Sequence, residues 1–542
     1  MSKVVNISDL IDAFILKGFQ YEGKSDDGWH RLNGCLCPPS DTDTYSCNIE
    51  IDPNFIDLPR IQLTTIPQQL PQINPHIGDD GNLCYLAKGA VVLDIFDPIG
   101  QALACLARAE NVLGQILNQE VVDDLIEEFN AYWSGTFCFL DLENDWLGFQ
   151  NCIYAENKTS EFLIVTDNPE RSYKKLSSLD IKKNESYVLT YKLKTNALPR
   201  PLSKNWPPKN VSEVLAWQSL LDSRSRKKIL QRINEAIKLS ANCVLIIIES
   251  PTITYGFGVF FKKDKGKTKG HYSSLKGRIF DMNIQPITIM RIDDKYLSQR
   301  NIPKLRTLSG KRIAMIGCGT IGGYLAEMLV KAGAGTSDGK LILIDGDIIL
   351  PENIGRHRLG FPHLLTNKAT ALTEELKRLS PGSDIQALPI DAKQASLENI
   401  DLLIDATGEE ALGHWLSNKY SNLTTMLSVW VEGPGTAVRA LLKSNNAGAC
   451  YRCLWHSNKK GKLRSVTTQL PMDMAGNGCE GLYVPFPAHV SVNAASLATE
   501  MTLDWVNGIS TPSLRTRLTD TSFELATPDC NPLVDSDCPI CN

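Results

Sequence analysis

The stretch 311–356 constrains this chain more than any other. It opens Lys311-Arg-Ile-Ala-Met-Ile-Gly317-Cys-Gly319-Thr-Ile-Gly322-Gly323, so an apolar run at residues 313–316 runs straight into glycines. Such a run suits a buried parallel strand. Residues 324–332 then carry helical composition and spacing. Strand, glycine turn and helix together predict a nucleotide-binding βαβ unit. In it Gly317, Gly319 and Gly322 let the backbone approach a phosphate seated on the helix N-terminus. A second apolar strand ends at Asp345, about 23 residues past Gly322, where an acidic side chain meets ribose hydroxyls.

The charged residues beyond that strand argue against a dinucleotide site. Asp345-x-Asp347 and Asn353-x-x-Arg356 crowd two carboxylates, an amide and a guanidinium together, Lys368 follows on the next predicted helix, and Asp405 ends another strand. A triphosphate with Mg²⁺ uses such groups: Arg and Lys neutralise phosphate oxygens and an Asp holds the metal. Across roughly residues 300–542 these motifs resemble the ThiF/MoeB and ubiquitin-activating family of adenylating enzymes. The resemblance implies a Rossmann-like adenylation domain in which a protein's C-terminal carboxylate attacks the α-phosphate of ATP. It assigns Asp345, with Asp347 beside it, to the ribose end, Asn353, Arg356 and Lys368 to the phosphates, and Asp405 to Mg²⁺. It gives Arg356 a share in catalysis, and it implies a homodimer formed through this domain.

Composition narrows the remaining classes. A net charge of −5 over 542 residues carries no basic excess, which argues against a direct nucleic-acid partner. The lysine-rich run 262–270 is short and laced with glycine, and reads as a surface loop. No stretch has the length and apolarity to span a membrane, and the start does not resemble a signal peptide. With 15 cysteines in such a chain, the expectation is a cytoplasmic protein whose thiols are reduced, metal-bound or nucleophilic.

Toward the N-terminus, Ile7, Leu10, Ile11, Phe14 and Ile15 recur at helical spacing, and alternation marks extended segments at 45–51 and 61–66. Next comes Asn74-Pro75-His76-Ile77-Gly78-Asp79-Asp80-Gly81-Asn82-Leu83-Cys84, a constrained loop presenting a cysteine. Residues 90–117 and 121–133 read as two helices. Over roughly residues 1–150 this order and loop resemble an α+β ubiquitin-conjugating domain with Cys84 as its catalytic thiol. The family's His-Pro-Asn is replaced by Asn74-Pro75-His76, so His76 stands where an oxyanion-stabilising Asn would be. A His N–H can donate to an oxyanion, and the same ring is a candidate base for an incoming lysine. Cys35, Cys37 and Cys47 lack the loop context and read as structural.

Residues 151–300 carry no catalytic constellation and read as an α+β linker domain. They hold a proline-rich connector at 198–208, a helical stretch at 211–239 and strands at 243–249 and 255–261. Residues 301–542 form the third domain. Near the end, Cys450-Tyr-Arg-Cys453 and Cys538-Pro-Ile-Cys541 make two short knuckles, and four thiolates at such spacing satisfy tetrahedral Zn²⁺. MoeB-like proteins carry this Cys₄ site. Cys479 lies unpaired in the glycine-rich stretch 475–481. In the family's thioester-forming members a nucleophilic Cys lies between the first knuckle and the following helix, here residues 490–506, which implies that role for Cys479.

The joint presence of both halves implies a relay: an acyl-adenylate, a thioester on Cys479, transfer to Cys84, then an amide to a lysine of a target protein. The architecture resembles the bacterial conjugating–activating fusion proteins of antiphage CBASS operons. In that family the acyl donor is the C-terminus of a cGAS-like nucleotidyltransferase. Two alternatives stay open: the same chemistry on a bacterial ubiquitin-like protein, or a MoeB-type sulfur-carrier adenylyltransferase whose residues 1–300 only bind a partner.

Overall fold

A computed structural model describes residues 7–39, 41–87, 89–143, 148–156, 161–202, 205–261, 278–445, 447–471, 474–475 and 483–541. The lysine-rich run 262–270 and Cys479 lie outside them. By internal contacts the chain groups into two compact units: residues 1–138, 147–150 and 187–289, and residues 139–146, 151–186 and 290–542.

In the first unit the helically spaced apolar residues form the helix Ile7–Leu16, which buries Leu10, Ile11 and Phe14. It shares a core with the long helix Pro98–Leu117 and an antiparallel meander of Gln20–Lys24, His30–Leu36, Tyr45–Ile51 and Arg60–Leu63. Alternation works as expected in Tyr45–Ile51, where Cys47, Ile49 and Ile51 face inward. The long helix starts eight residues later than the pattern suggests. Asp97 accepts a hydrogen bond from the Gly100 N–H and Pro98 fills the first helical position, so residues 90–96 stay outside it. The second helical stretch breaks into a 3₁₀ turn, Val122–Ile126, and a single turn, Phe129–Tyr132. Phe129 and Trp133 are instead drawn into a buried aromatic cluster with Trp206, Trp217 and Tyr255, ring centroids 5.0 to 6.0 Å apart.

That cluster belongs to a second layer of the same unit. The stretch 211–239 is two helices, Val211–Leu221 and Ser223–Lys238, because Asp222 takes an extended backbone and caps the second through the Arg224 N–H. Below them Cys243–Glu249 pairs in parallel with Leu189–Lys194 and antiparallel with Thr254–Phe260.

In the second unit, residues 151–156 pair antiparallel with Glu161–Thr166, and the helix Pro169–Lys175 follows. Its Arg171 and Lys175 reach the fully buried Asp141, at 3.0 and 2.8 Å. Lys175 also meets Asp294, at 2.9 Å, on the helix Asp294–Asn301 that leads into the nucleotide-binding portion. There a seven-stranded sheet runs in the order Ile385–Leu388, Lys340–Ile344, Arg312–Ile316, Leu402–Asp405, Thr425–Glu432, Ala437–Lys443, Leu514–Leu518. The first five strands are parallel and the last two antiparallel. The helices Thr320–Lys331 and Ala488–Val506 share one buried core with the sheet. The helix Glu410–Tyr420 contributes to a second core. The expected fold class, α+β followed by a Rossmann-like adenylation domain, is the observed one. Among the described residues no helix is long and apolar enough to cross a membrane.

The glycine turn leaves no slack. A Cβ on Gly322 would lie 1.8 Å from the Gly317 carbonyl oxygen. Gly322→Ala is therefore expected to destabilise the second unit by about 1–3 kcal/mol or more through overpacking. A thermal melt checks this, and an unshifted transition would contradict it.

Candidate active sites

The parallel register sets Ile316 beside Ile344 on one side and beside Asp405 on the other. Three strand ends therefore deliver the glycine turn, Asp345 and Asp405 to the same edge of the sheet, where open α/β sheets bind ligands. Gly317 turns the chain with φ +90°, and its N–H donates to the Ile344 carbonyl at 3.0 Å. Asp345 accepts from the Cys318 N–H at 2.7 Å and the Asp347 N–H at 2.9 Å, which fixes its carboxylate against the turn. Burial pushes its pKa up, against those two hydrogen bonds and the Lys368 charge. Gly319 caps the helix Thr320–Lys331 without a side chain, so no cap blocks the first-turn N–H groups from an anion.

Lys368 opens the helix Lys368–Leu379 and meets Asp347 at 2.9 Å. Asn367, just before it, donates to the carbonyls of Asp345 and Asp347. The Asn353 side chain accepts from the Leu350 N–H and shapes its own short turn. Arg356 sits over the rings of Phe486 and Tyr483, at 4.6 and 5.2 Å, and donates to the Val484 carbonyl at 3.1 Å. Its Nε is buried without a hydrogen-bond partner among the described residues. An orphaned, buried guanidinium N–H is a donor awaiting an anion, and a phosphate oxygen fits it.

Sequence reasoning missed His357. Its Nδ1 accepts from the Leu359 N–H and its Nε2–H donates to the Cys318 carbonyl at 2.8 Å, pinning the Arg356 segment onto the glycine turn. Burial lowers its pKa, which keeps this neutral tautomer. Only the adjacency to Arg356 could have pointed to it.

Asp405 is 4% exposed. One carboxylate oxygen accepts from the Thr407 N–H at 3.1 Å and its hydroxyl at 2.7 Å. Burial lifts its pKa to about 6. No basic side chain among the described residues pairs with it, so a divalent cation would find one anionic ligand in a dry setting. The edge fits a nucleoside triphosphate with its metal.

The thiol site lies in the first unit. Cys84 is exposed, and its N–H donates to the His76 carbonyl at 2.8 Å. Partial burial and the Glu128 charge push its thiol pKa up. His76 holds φ +64°, a left-handed backbone that a non-glycine residue adopts only where its surroundings impose it. They do so through Glu128, whose carboxylate accepts from the His76 N–H at 3.1 Å and meets Nδ1 at 2.7 Å. Asp124 holds Nε2 at 2.9 Å. The Glu128 carboxylate, then Asp124, raises the His76 pKa to about 9 despite burial, which favours the protonated ring. The Asn74 amide turns inward to the Pro71 carbonyl, and the Tyr132 hydroxyl donates to the Asn74 carbonyl, both at 2.7 Å. Asp124 and Glu128 were not singled out from sequence, because they lie some forty residues away in a stretch read as plain helix.

The four knuckle cysteines come together at one end of the second unit. Their sulfurs all lie within 4.8 Å of one another, with neighbouring separations of 3.6 to 3.7 Å. A tetrahedron with Zn–S bonds of about 2.3 Å has edges of about 3.8 Å, whereas a disulfide would need about 2.05 Å. The set fits a four-coordinate thiophilic metal and leaves no open position.

The His76 contacts carry a pH dependence. A histidine raised from 6.5 to about 9 on folding contributes stability that is fully present below pH 6.5 and lost as pH rises through about 9. Hydrogen exchange in residues 74–86, corrected for its intrinsic rate, should therefore accelerate between those values and lose that dependence in His76→Gln. A flat profile would contradict the ion pairs.

Two family models match the chain: the ThiF family over residues 296–539 and Prokaryotic E2 family B over residues 39–136. An ATP-dependent ubiquitin transferase-like protein Cap2 from Pseudomonas aeruginosa is 57% identical over 542 residues, the whole of both chains. A protein of the same description from Escherichia coli is 26% identical over 502 residues, 83% of each chain. Among solved structures, E. coli MccB with ATP aligns with 46% of this chain and 70% of its own, at 18% identity and a TM-score of 0.33. With full-length identity to one Cap2 and both domain families in place, this chain belongs to the ATP-dependent ubiquitin transferase-like Cap2 family of enzymes.

Proposed function

We propose that the chain activates the C-terminal carboxylate of a partner protein with ATP and attaches it to a lysine of a target. Residues 301–542 adenylate, residues 1–150 conjugate and residues 151–300 join them. The observation that carries the reading is the pairing, on one polypeptide, of an anion-ready edge at Gly317, Arg356 and Asp405 with an exposed thiol at Cys84.

The partner's carboxylate attacks the α-phosphate and pyrophosphate leaves. Arg356 and Lys368, with Asn353 beside them, hold the phosphates, and Asp345 with Asp347 orients the ribose. Mg²⁺ on Asp405 would neutralise charge on the leaving phosphates. The Cys479 thiolate then displaces AMP to form a thioester, Cys84 takes over the acyl group by thiol exchange, and the lysine amine displaces Cys84 to leave an amide. The role of Cys479 rests on its sequence context. Carrying both thiols on one chain raises their effective concentration for each other. Both roles stay open to His76, as oxyanion donor or as base, and each requires a carboxylate to release one ring nitrogen, because Glu128 and Asp124 hold both. Zn²⁺ on Cys450, Cys453, Cys538 and Cys541 is structural.

The partner we favour is a cGAS-like nucleotidyltransferase in antiphage CBASS defence, on the strength of the fusion architecture, with a ubiquitin-like protein as the alternative donor. Free thiols throughout the described residues support a cytoplasmic setting. Exposed Ile348, Leu350, Phe361 and Leu365 beside the nucleotide edge support a homodimer through the adenylation domain.

The test is ATP–pyrophosphate exchange and product formation with either candidate partner. Asp405→Asn should lower exchange by about a hundredfold or more. Cys84→Ala should keep exchange and lose the conjugate. A conjugate still formed by Cys84→Ala would reduce the first unit to a partner-binding module.

A further inference from the structure

The knuckle Cys450-Tyr451-Arg452-Cys453 has so far supplied only its sulfurs, yet the first of the two residues between them reaches toward the nucleotide edge. Cys450 caps the helix Tyr451–Lys459, so Tyr451 is its first residue. Its ring lies over Gly413, on the helix Glu410–Tyr420. A Cβ at Gly413 would meet Tyr451 Cε1 at 3.1 Å and Asp405 Oδ2 at 3.3 Å. The ring edge and the Asp405 oxygen that Thr407 leaves free therefore flank the same glycine, and a side chain there would crowd both. Trp430 and His414 hold the ring edge-on, with centroids 5.6 and 5.4 Å away. Tyr451 is half-buried, and beyond that burial the Asp405 charge is close enough to push its hydroxyl pKa up.

We propose that Tyr451 is a positioning residue for Asp405: its ring walls the carboxylate into one orientation, and the cysteine knuckle holds the ring there. This rests on the assignment of Asp405 to the nucleotide's divalent cation. The other Asp405 oxygen is tied down by Thr407, at the N–H and the hydroxyl. Only Oδ2 keeps a choice of direction and hydration, and the ring removes both. A ligand oxygen fixed before the cation arrives loses less entropy on binding it, so Tyr451 acts on metal affinity rather than on the chemistry of acyl transfer. The same arrangement gives the cysteine cluster a mechanical route to the nucleotide edge: the sulfur cluster places helix residue 451, and residue 451 acts on Asp405 across Gly413.

The experiment is calorimetric binding of α,β-methylene-ATP to the full chain at a series of Mg²⁺ concentrations, with zinc content and melting measured on the same samples. Tyr451→Ala should raise the Mg²⁺ concentration for half-maximal binding about tenfold, with little loss at saturating Mg²⁺ and unchanged zinc. Tyr451→Phe keeps the ring and should match the parent. If Tyr451→Ala does not fold, Gly413→Ala crowds the same space from the other side and should shift the Mg²⁺ dependence in the same direction. A folded Tyr451→Ala with parental Mg²⁺ dependence overturns the proposal, as does equal weakening at all Mg²⁺ concentrations. Failure of the parent chain to bind the nucleotide at all would instead count against the assignment of the edge.

Discussion

The second unit depends on one steric fact: the glycine turn after residue 316 is closed on itself, so that a Cβ on Gly322 would lie 1.8 Å from the Gly317 carbonyl oxygen. No side chain fits there, so the first turn of the helix Thr320–Lys331 stays within reach of a phosphate. The parallel strands on either side bring Asp345 and Asp405 to the same edge, and Asp345 locks onto the turn through the Cys318 N–H. His357 then clamps the Arg356 segment to the carbonyl of the same residue. The glycine turn, Asp345, Asp405 and the Arg356 segment are therefore brought to one edge largely by backbone contacts with one turn and its neighbouring strands.

The thiol site is held in a different way. Its loop is tied to the strand Arg60–Leu63 by the Leu83 N–H on the Ile61 carbonyl and the Leu63 N–H on the Gly81 carbonyl, and its His76 end is held by the helical pieces that follow the long helix Pro98–Leu117. Tyr132 holds the Asn74 carbonyl, Glu128 holds both the backbone and the ring of His76, and the adjoining Phe129 and Trp133 are anchored in a cluster of tryptophans from residues 206 and 217. Residues 206, 217 and 255 thus contribute the hydrophobic anchor behind the Cys84 loop. Cys84 stays exposed while the left-handed backbone at His76 is held from that anchor through Glu128.

Much of this was legible in the sequence, for reasons that differ from element to element. The buried parallel strands were readable because burial on both faces requires unbroken apolar runs, and the glycine turn because no other residue adopts its backbone. The four knuckle cysteines declared themselves by spacing, and their sulfurs converge. What stayed hidden depends on contacts between residues far apart in the chain. Asp124 and Glu128 look like ordinary helix-surface acids until the chain folds them onto His76. The helix expected from residue 90 starts at Pro98, because a capping aspartate and a proline outweigh the apolar pattern before them. Tyr451 carried no signal beyond sitting inside a cysteine knuckle, since its place beside Gly413, which Asp405 also approaches, depends on three separate elements.

The central claim is that one acyl group passes over two sulfurs of this chain, and it can be read directly by mass spectrometry. The chain is incubated with Mg·ATP and a cGAS-like nucleotidyltransferase bearing an intact C-terminus, and quenched without reductant. The account predicts a thiol-labile adduct on Cys479 that accumulates in Cys84→Ala and is absent without ATP. Conjugates that still form after Cys84 and Cys479 are both replaced by alanine would contradict it.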